Sequence, residues 1–450
     1  MTPDEERAAG PFRQLAPRQA FCLQASVVVF FLAGASAPTP LYATYQQEWH
    51  FSPITTTVIF GVYAVAILLA LLIVGSLSDH VGRRPVIFGS IVVQAAAVVV
   101  FTGADGVPDL VCGRILQGFA TGTVVGAVGA GMIDVSRSAG TLANAVTPAA
   151  GTAVGAMGSG LLVTYAPQPT HLVYNVLLVV YVLQAVGVLL MAETAARTPG
   201  ALRSLRVSWT LPARARGPLL RAAPVVLAVW ALAGFYGSLG PALVHRVVPG
   251  RGALLGGLAL FTLTACGALT VLVLRDAAPA ATMQVGALAL IGGVGITLLS
   301  VALGSAGLFF VGTAIAGVGF GAGFQGGVRT VVPLAEPHER SGLLSVMYLI
   351  SYLGFGLPTI VAGVIVVYGG GVARAAYEYG TTVMLFAAMA FAGTLGRRSA
   401  PAPSAPAVPV SSRHDTAVDV RADGISPRAA SAHRSSSHGD VLAPKGDEQR

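Results

Sequence analysis

A chain of 450 residues that is 54% apolar and only 10% charged cannot cover itself in water, because a soluble domain carries about 25% charged residues. Its formal charge of +8 is almost wholly arginine, with Lys445 the sole lysine, and no basic helix with interleaved aromatics appears, so a nucleic-acid partner is not expected. The charges gather in short clusters between apolar runs of roughly twenty residues, the length that crosses ~30 Å of hydrocarbon, and the lipid bilayer is the expected solvent.

Twelve apolar spans follow one another, at 21–42, 54–74, 86–104, 108–132, 141–165, 172–191, 223–244, 254–274, 283–303, 307–332, 343–367 and 380–396. The first begins at Phe21 and runs past Ala37 into Pro38-Thr39-Pro40-Leu41-Tyr42. It lacks the small-residue cleavage site that follows the short apolar core of a signal peptide, and reads as a retained spanning helix. Lipid offers the backbone no hydrogen bonds, so each span must be helical. Most of the 56 glycines fall within these spans, where small residues let neighbouring backbones approach.

Arginine placement orients the chain. With a cytoplasmic N-terminus the inner set is Arg7, Arg13, Arg18, Arg83, Arg84, Arg137, Arg197, Arg203, Arg206, Arg214, Arg216, Arg221, Arg275, Arg340, Arg397 and Arg398; the outer set is Arg246, Arg251 and Arg374. Cytoplasmic loops are enriched in such cations, and an even number of spans puts both termini in the cytoplasm. The expected organisation is a cytoplasmic segment 1–20, a six-helix bundle 21–191, a linker 192–222, a second six-helix bundle 223–396 and a disordered cytoplasmic tail 397–450. An internal echo accompanies the 6+6 division. Gly113, Gly118 and Gly122 of the fourth span recur 199 residues later as Gly312, Gly317 and Gly321 of the tenth, a match that chance could supply in so glycine-rich a chain.

Four stretches carry chemistry, taken in chain order. Between spans 2 and 3 lies Gly75-Ser-Leu77-Ser-Asp79-His-Val-Gly82-Arg83-Arg84. Gly75 permits close packing and Gly82 a tight turn, and the Asp79 carboxylate can face the positive N-terminus of a neighbouring helix. Span 4 contains Asp109, Arg114 and Gln117. An arginine inside hydrocarbon costs at least ~2.5–3.5 kcal/mol and should face a wet cavity or a partner. Asp109 is not an obvious partner, since five residues place it ~140° around the helix from Arg114. Span 5 holds Gly151, Gly155, Met157, Ser159 and Gly160, and span 6 ends in Glu193-Thr194. Arg329 near the inner end of span 10 can snorkel to the interface. Tyr63, Asn144, Trp230, Tyr236, Gln325, Tyr348 and Tyr352 are polar or aromatic residues inside spans that could line a central cavity or could serve as packing.

The loop at 75–84 resembles the signature of the major facilitator superfamily, Gly-x-Leu-Ala-Asp-Arg-x-Gly-Arg-Arg, with Ser78 in place of the usual Ala and His80 in place of Arg. Arg114, Gln117 and Gly118 are similar to that family's Arg-x-x-Gln-Gly signature in helix 4. The run from Gly151 to Gly160 is a degraded likeness of the helix-5 signature of the family's exporters, with Ala156 where Pro stands and Ser159 where Gly stands. Met191-Ala-Glu193-Thr194 resembles the Pro-Glu-Thr ending of helix 6 without its Pro, and Glu336-Pro337-His338-Glu339-Arg340 looks like the pseudo-symmetric counterpart of the loop after helix 4.

The resemblance implies an all-α membrane protein of the major facilitator fold, with twelve transmembrane helices in two bundles around a midplane cavity. It implies a latch in which Asp79, paired with Arg83, caps the start of helix 11 near Ser341-Gly342 and holds the cytoplasmic side shut until it breaks toward an inward opening, and a coupling or solute role for Arg114. The expected function is secondary transport of a small-molecule solute, with proton-coupled export as the leading version, by a monomer in the cytoplasmic membrane. Uptake by symport or facilitated diffusion, and a transport-inactive sensor on the same scaffold, remain alternatives. Cys22, Cys112 and Cys266 lie in apolar stretches, no phosphate-cradling Gly-x-x-x-x-Gly-Lys-[Ser/Thr] occurs, and no His/Cys cluster has metal spacing, so neither a cofactor nor an enzyme is expected. His414, His433 and His438 in the tail read as solvated filler.

Overall fold

Residues 14–205, 211–248, 253–336 and 339–395 are described by the computed structural model. The expected tail 397–450, together with Arg7, Arg13, Arg206, Arg251, Pro337, His338, Arg397 and Arg398, lies outside the described residues. Within them the regular structure is helical, and twelve long helices follow in order: α1 (Pro17–Ser36), α2 (Pro53–Val74), α3 (Arg83–Thr102), α4 (Val107–Val135), α5 (Arg137–Tyr165), α6 (Pro169–Leu189), α7 (Ala213–Ser238), α8 (Ala253–Val273), α9 (Pro279–Leu303), α10 (Ala306–Val331), α11 (Arg340–Tyr368) and α12 (Gly371–Leu395). Each has at least 20 residues, enough at 1.5 Å per residue to cross ~30 Å of hydrocarbon. Eleven are long enough and contain a stretch apolar enough to cross a membrane. The twelfth, α12, carries the exposed Arg374–Glu378 ion pair (2.7 Å) in its first two turns.

The sequence explains where these helices start. Helices α1, α2, α4, α6 and α9 carry Pro in the first turn, where its missing N–H is one the helix leaves unpaired in any case. Four predicted boundaries need correction, the plainest being that α12 starts at Gly371 rather than 380. Span 1 does not run unbroken to Tyr42: α1 ends at Ser36, and after a turn a short helix forms over Tyr42–Trp49. Span 7 likewise gives way at Ser238 to a short helix over Gly240–Val247. It also starts ten residues before the expected position, at Ala213 rather than 223, shortening the linker, which carries a further short helix over Ala201–Ser204.

Buried apolar side chains form two clusters. One is drawn from residues 20–191 with Phe355 added, the other from residues 215–390 with Ala156 added. Helices of the two sets meet along two seams. α2 packs on α11 where Gly61 meets Ile360 and Gly363 meets Thr57, and α5 packs on α8 where Gly160 meets Leu254 and Gly257 meets Ala156. Both seams lie in the halves of α2 and α5 that point away from the 75–84 loop.

The glycine echo acquires geometric meaning. Gly118 and Gly122 of α4 press against α2 at Tyr63, Ile67 and Ala70, while Gly317 and Gly321 of α10 press against α8 at Leu263, Cys266 and Gly267. Outward-facing Val65, Leu69, Val99, Val179, Leu183, Leu269, Leu385 and Met389 are exposed, an apolar girdle that suits lipid and would be a liability in water.

Candidate functional site

The 75–84 loop is a knot of charges. After α2 a turn leads into a one-turn helix, Ser78–Val81, and Gly82 then adopts φ 107° before α3 begins at Arg83. Only glycine takes that backbone conformation without strain. A side chain there would also strike the Glu193 carboxylate, which accepts from the Arg83 and Arg84 backbone N–H groups at 2.7 and 3.0 Å. Glu193 thus caps the positive end of α3 from the segment that follows α6.

The Arg83 side chain is buried, donates to Ser78 Oγ at 2.7 Å, pairs with Asp79, and reaches Asp134 at the end of α4 at 3.4 Å. Asp134 also accepts from Thr194 Oγ1 at 3.3 Å. Arg84 donates to the Leu189 carbonyl. The linker fastens on from outside, with Thr198 N–H donating to the His80 carbonyl at 3.0 Å and Ser76 Oγ to the Ser204 carbonyl at 3.0 Å.

Asp79 is paired with Arg83, the pairing expected within the latch, and its remaining exposure is toward solvent. The α11 end is occupied differently. Arg214, at the start of α7, pairs with Glu336 at 2.8 Å and with Glu339, and donates to the Leu334 carbonyl at 2.6 Å.

The second site lies deep in the first six helices. Arg114 is 0% exposed. It donates to Tyr42 Oη from Nε at 3.1 Å and from Nη2 at 2.7 Å, and from Nη1 to the Ala35 carbonyl at 2.8 Å and to Gln117 Oε1 at 2.7 Å. Rings of Tyr63, Phe60, Tyr42 and Phe101 surround its guanidinium at 5.1, 5.4, 5.8 and 6.0 Å, within the reach of cation–π attraction.

None of these partners is a carboxylate, and the break in α1 supplies the compensation. Pro38 and Pro40 bring no N–H to the helix, and Thr39 and Leu41 donate to the Ser36 and Pro38 carbonyls instead. The Ala35 and Ala37 carbonyls are therefore left without their helical donors. Arg114 takes the first, and Ser159 Oγ of α5 takes the second at 2.6 Å. The cation sits at the negative end of α1.

A polar extension runs beside it: Gln94 Nε2 donates to Tyr181 Oη at 3.1 Å, which donates to the Phe30 carbonyl at 2.8 Å. Gly34 leaves the room, since a methyl group there would overlap the Tyr181 hydroxyl. Above it Tyr45 Oη donates to Tyr174 Oη at 3.3 Å, and burial pushes the Tyr45 hydroxyl up to about 12, keeping it a neutral donor.

Of the residues singled out in the sequence, the structure brings Arg114, Gln117 and Tyr63 together. Asp109 stands apart, accepting from the Asp105 backbone N–H at 3.1 Å. Asn144, Gln325 and Tyr236 tie helices to each other: Asn144 donates to the Gly129 carbonyl at 2.9 Å, Gln325 to the Val271 carbonyl at 3.1 Å, and Tyr236 Oη shares a hydrogen bond with Thr313 at 2.9 Å. Arg329 donates to the Leu274 carbonyl at 3.2 Å, at the end of α8. Tyr348 and Tyr352 are half-buried against the first cluster. Gly151 and Gly155 lie against the α1 backbone at Val29 and Ala33, and Gly160 against α8. Residues that the sequence did not single out, Gly34, Tyr42, Phe60, Gln94, Tyr181 and Phe355, complete the surroundings; the one available signal was the Pro38-x-Pro40 pair inside an apolar run.

The family model of the Major Facilitator Superfamily matches residues 25–302. No curated protein matches the sequence. Among solved structures, the chain is similar to the human organic anion transporter MFSD10 (TETRAN), at 15% identity and TM-score 0.64 over 84% of this chain and 100% of that one. It is similar to the nucleoside transporter NupG, at 15% identity and TM-score 0.62 over 84% and 98%. A bacterial homolog of the human lysosomal transporter Spinster, inward-facing and unoccupied, aligns at 12% identity and TM-score 0.65 over 86% and 99%. At such identities the likeness establishes the fold.

Proposed function

The chain belongs to the Major Facilitator Superfamily and is a multi-pass membrane transporter of small solutes; from that premise we propose that it exports its solute from the cytoplasm in exchange for protons. In this reading two six-helix bundles, 21–191 and 223–396, rock about the α2–α11 and α5–α8 seams. The chain works as a monomer in the cytoplasmic membrane with both termini inside.

The observation that carries the export reading is the α5 glycine seam. Gly151, Gly155 and Gly160, the counterparts of the exporters' helix-5 signature, let α5 lie against α1 on one side and α8 on the other. The departure at Ser159 has a reason in this chain, because its hydroxyl pairs the Ala37 carbonyl freed by the break in α1. A glycine could not.

The placement of inter-helix contacts supports an opening toward the loop side. The seams lie away from the 75–84 knot, and Asp79, Arg83, Asp134 and Glu193 bind one another and their own half. Asp109 is separated from Arg114, and the carboxylates nearest the gate are Asp134 and Glu193 beside Arg83.

The test is a flux measurement in proteoliposomes bathed in a metabolite extract. Antiport expects at least one compound to accumulate in the lumen when the lumen is acid, because protons leaving drive solute inward. Accumulation only when the outside is acid would establish symport and overturn export. Absence of any gradient-driven movement would leave the sensor alternative standing.

A further inference from the structure

We infer that the solute of this transporter is a flat aromatic anion, held by a ring of aromatic side chains around Trp230 and discriminated from organic cations by Arg114. The inference rests on the transport reading and adds the chemical class of what is carried.

Four helices, three from the second half and one from the first, bring the ring together. Trp230 of α7 lies 5.0 Å from Tyr352 and 5.9 Å from Phe355 of α11 and 5.6 Å from Phe324 of α10, and Phe60 of α2 lies 5.3 Å from Phe355 (centroid distances). Trp230 packs against both hydrophobic clusters, and it and Tyr352 are half-buried rather than sealed. Aromatic faces at these spacings and mixed angles offer stacking and edge contacts to a planar guest.

Two polar features fix which guest. The indole Nε1 of Trp230 is buried without a hydrogen-bond partner. Indole N–H can only donate, and an unpaired buried donor is costly enough that native structures seldom leave one unless something else fills it. An acceptor on a guest would pair it; Tyr63 Oη, Gln117 Nε2 and Ser351 Oγ are likewise buried without a partner and offer such a guest further polar contacts. The charge behind the ring is positive: the Arg114 guanidinium lies 5.4 Å from the Phe60 centroid and 5.1 Å from that of Tyr63, with no carboxylate among its hydrogen-bond partners. In a low-dielectric interior such a charge acts over many ångströms. An aromatic carboxylate or sulfonate satisfies the donor and the field together. An aromatic ammonium has no acceptor for Trp230 and meets a like charge one ring away.

The experiment is equilibrium binding of two radiolabelled probes of matched shape and opposite charge, 1-naphthoate and 1-naphthylmethylammonium, to the full chain in lipid nanodiscs. Naphthoate is expected to bind at least ~10-fold more tightly, the factor that 1.4 kcal/mol of charge discrimination provides. Trp230→Phe keeps the ring and removes the donor, and is expected to weaken naphthoate about 5-fold with an unchanged melting temperature. Arg114→Gln is expected to bring the two probes within about threefold of each other; if that variant does not fold, the wild-type comparison and Trp230→Phe still decide.

The inference is overturned by equal or tighter binding of the ammonium, by binding of neither probe, by an unaltered naphthoate affinity in Trp230→Phe, or by an unaltered preference in folded Arg114→Gln. Flux separates this from the export reading. A protein that exports solute yet prefers the ammonium loses the present inference alone, and one that binds naphthoate but moves nothing under a proton gradient loses the transport direction and keeps the site.

Discussion

The chain interrupts its first and seventh helices in the same manner, with a short helix after each, yet it repairs the two breaks with different chemistry. At the first, the turn through Pro38 and Pro40 moves the Thr39 and Leu41 N–H groups onto the Ser36 and Pro38 carbonyls, and a guanidinium from α4 and a hydroxyl from α5 take up the Ala35 and Ala37 carbonyls left behind. At the second, Leu239 N–H continues the pattern by donating to the Phe235 carbonyl at 2.8 Å, and Leu243 N–H to the Leu239 carbonyl at 3.0 Å. Little is left to repair. The position 199 residues after Arg114 is Thr313, and its hydroxyl meets Tyr236 of α7 at 2.9 Å.

The asymmetry extends to the cores. Gln24, Gln94, Arg114, Gln117 and Gln184 are buried in the first half, whereas the buried polar residues described in the second are Ser and Thr alone. Several of these, including Thr264, Thr270, Thr282, Thr297 and Thr359, bond to carbonyls one turn back in their own helices. The fold can therefore be built with hydroxyls, and the buried charge is a feature of one half and not a requirement of the scaffold.

Substitutions at the two breaks test that contrast, measured as melting temperature and unfolding free energy in detergent micelles. Arg114→Ala should have the largest effect, about 3–5 kcal/mol, because it leaves the Ala35 carbonyl, Gln117 and Tyr42 without their partner. Gly34→Ala should cost about 2–3 kcal/mol by forcing a methyl group onto the Tyr181 hydroxyl. Ser159→Gly, which restores the exporter-like residue, should cost about 2 kcal/mol because the Ala37 carbonyl becomes an unpaired buried acceptor. Thr313→Val should cost about 1 kcal/mol, one neutral hydrogen bond. Equal losses for Arg114→Ala and Thr313→Val would break the comparison. A Thr313→Val loss near zero would sharpen it.

Much of the fold was legible because each span is a long apolar run and the arginines mark one side. The 75–84 loop was legible as a motif, since Gly82 is required by backbone conformation and Arg83 by local pairing with Asp79. What it binds was not: Asp134 and Glu193 reach Arg83 from 51 and 110 residues away, and no local pattern encodes such convergence. The expected pairing of Asp79 with Arg83 is local and was legible; a cap on α11 depends on how the two halves stand to one another, which the motif does not encode. The break in α1 was missed because the average apolarity of residues 21–42 hides the prolines. Asn144, Gln325 and Tyr236 resemble cavity residues in sequence because a polar side chain within a span looks the same whether it faces a solute or a neighbouring helix.

Arg114 also sets an order of assembly. Its acceptors, the Ala35 carbonyl and Tyr42, leave the ribosome some seventy residues ahead of it, so α4 enters the bilayer with a docking place already waiting for its cation. A circular permutant that moved α1 and the short helix behind α12 would keep every contact in the finished molecule, yet would thread α4 into lipid unaccompanied, where a lone guanidinium is expensive.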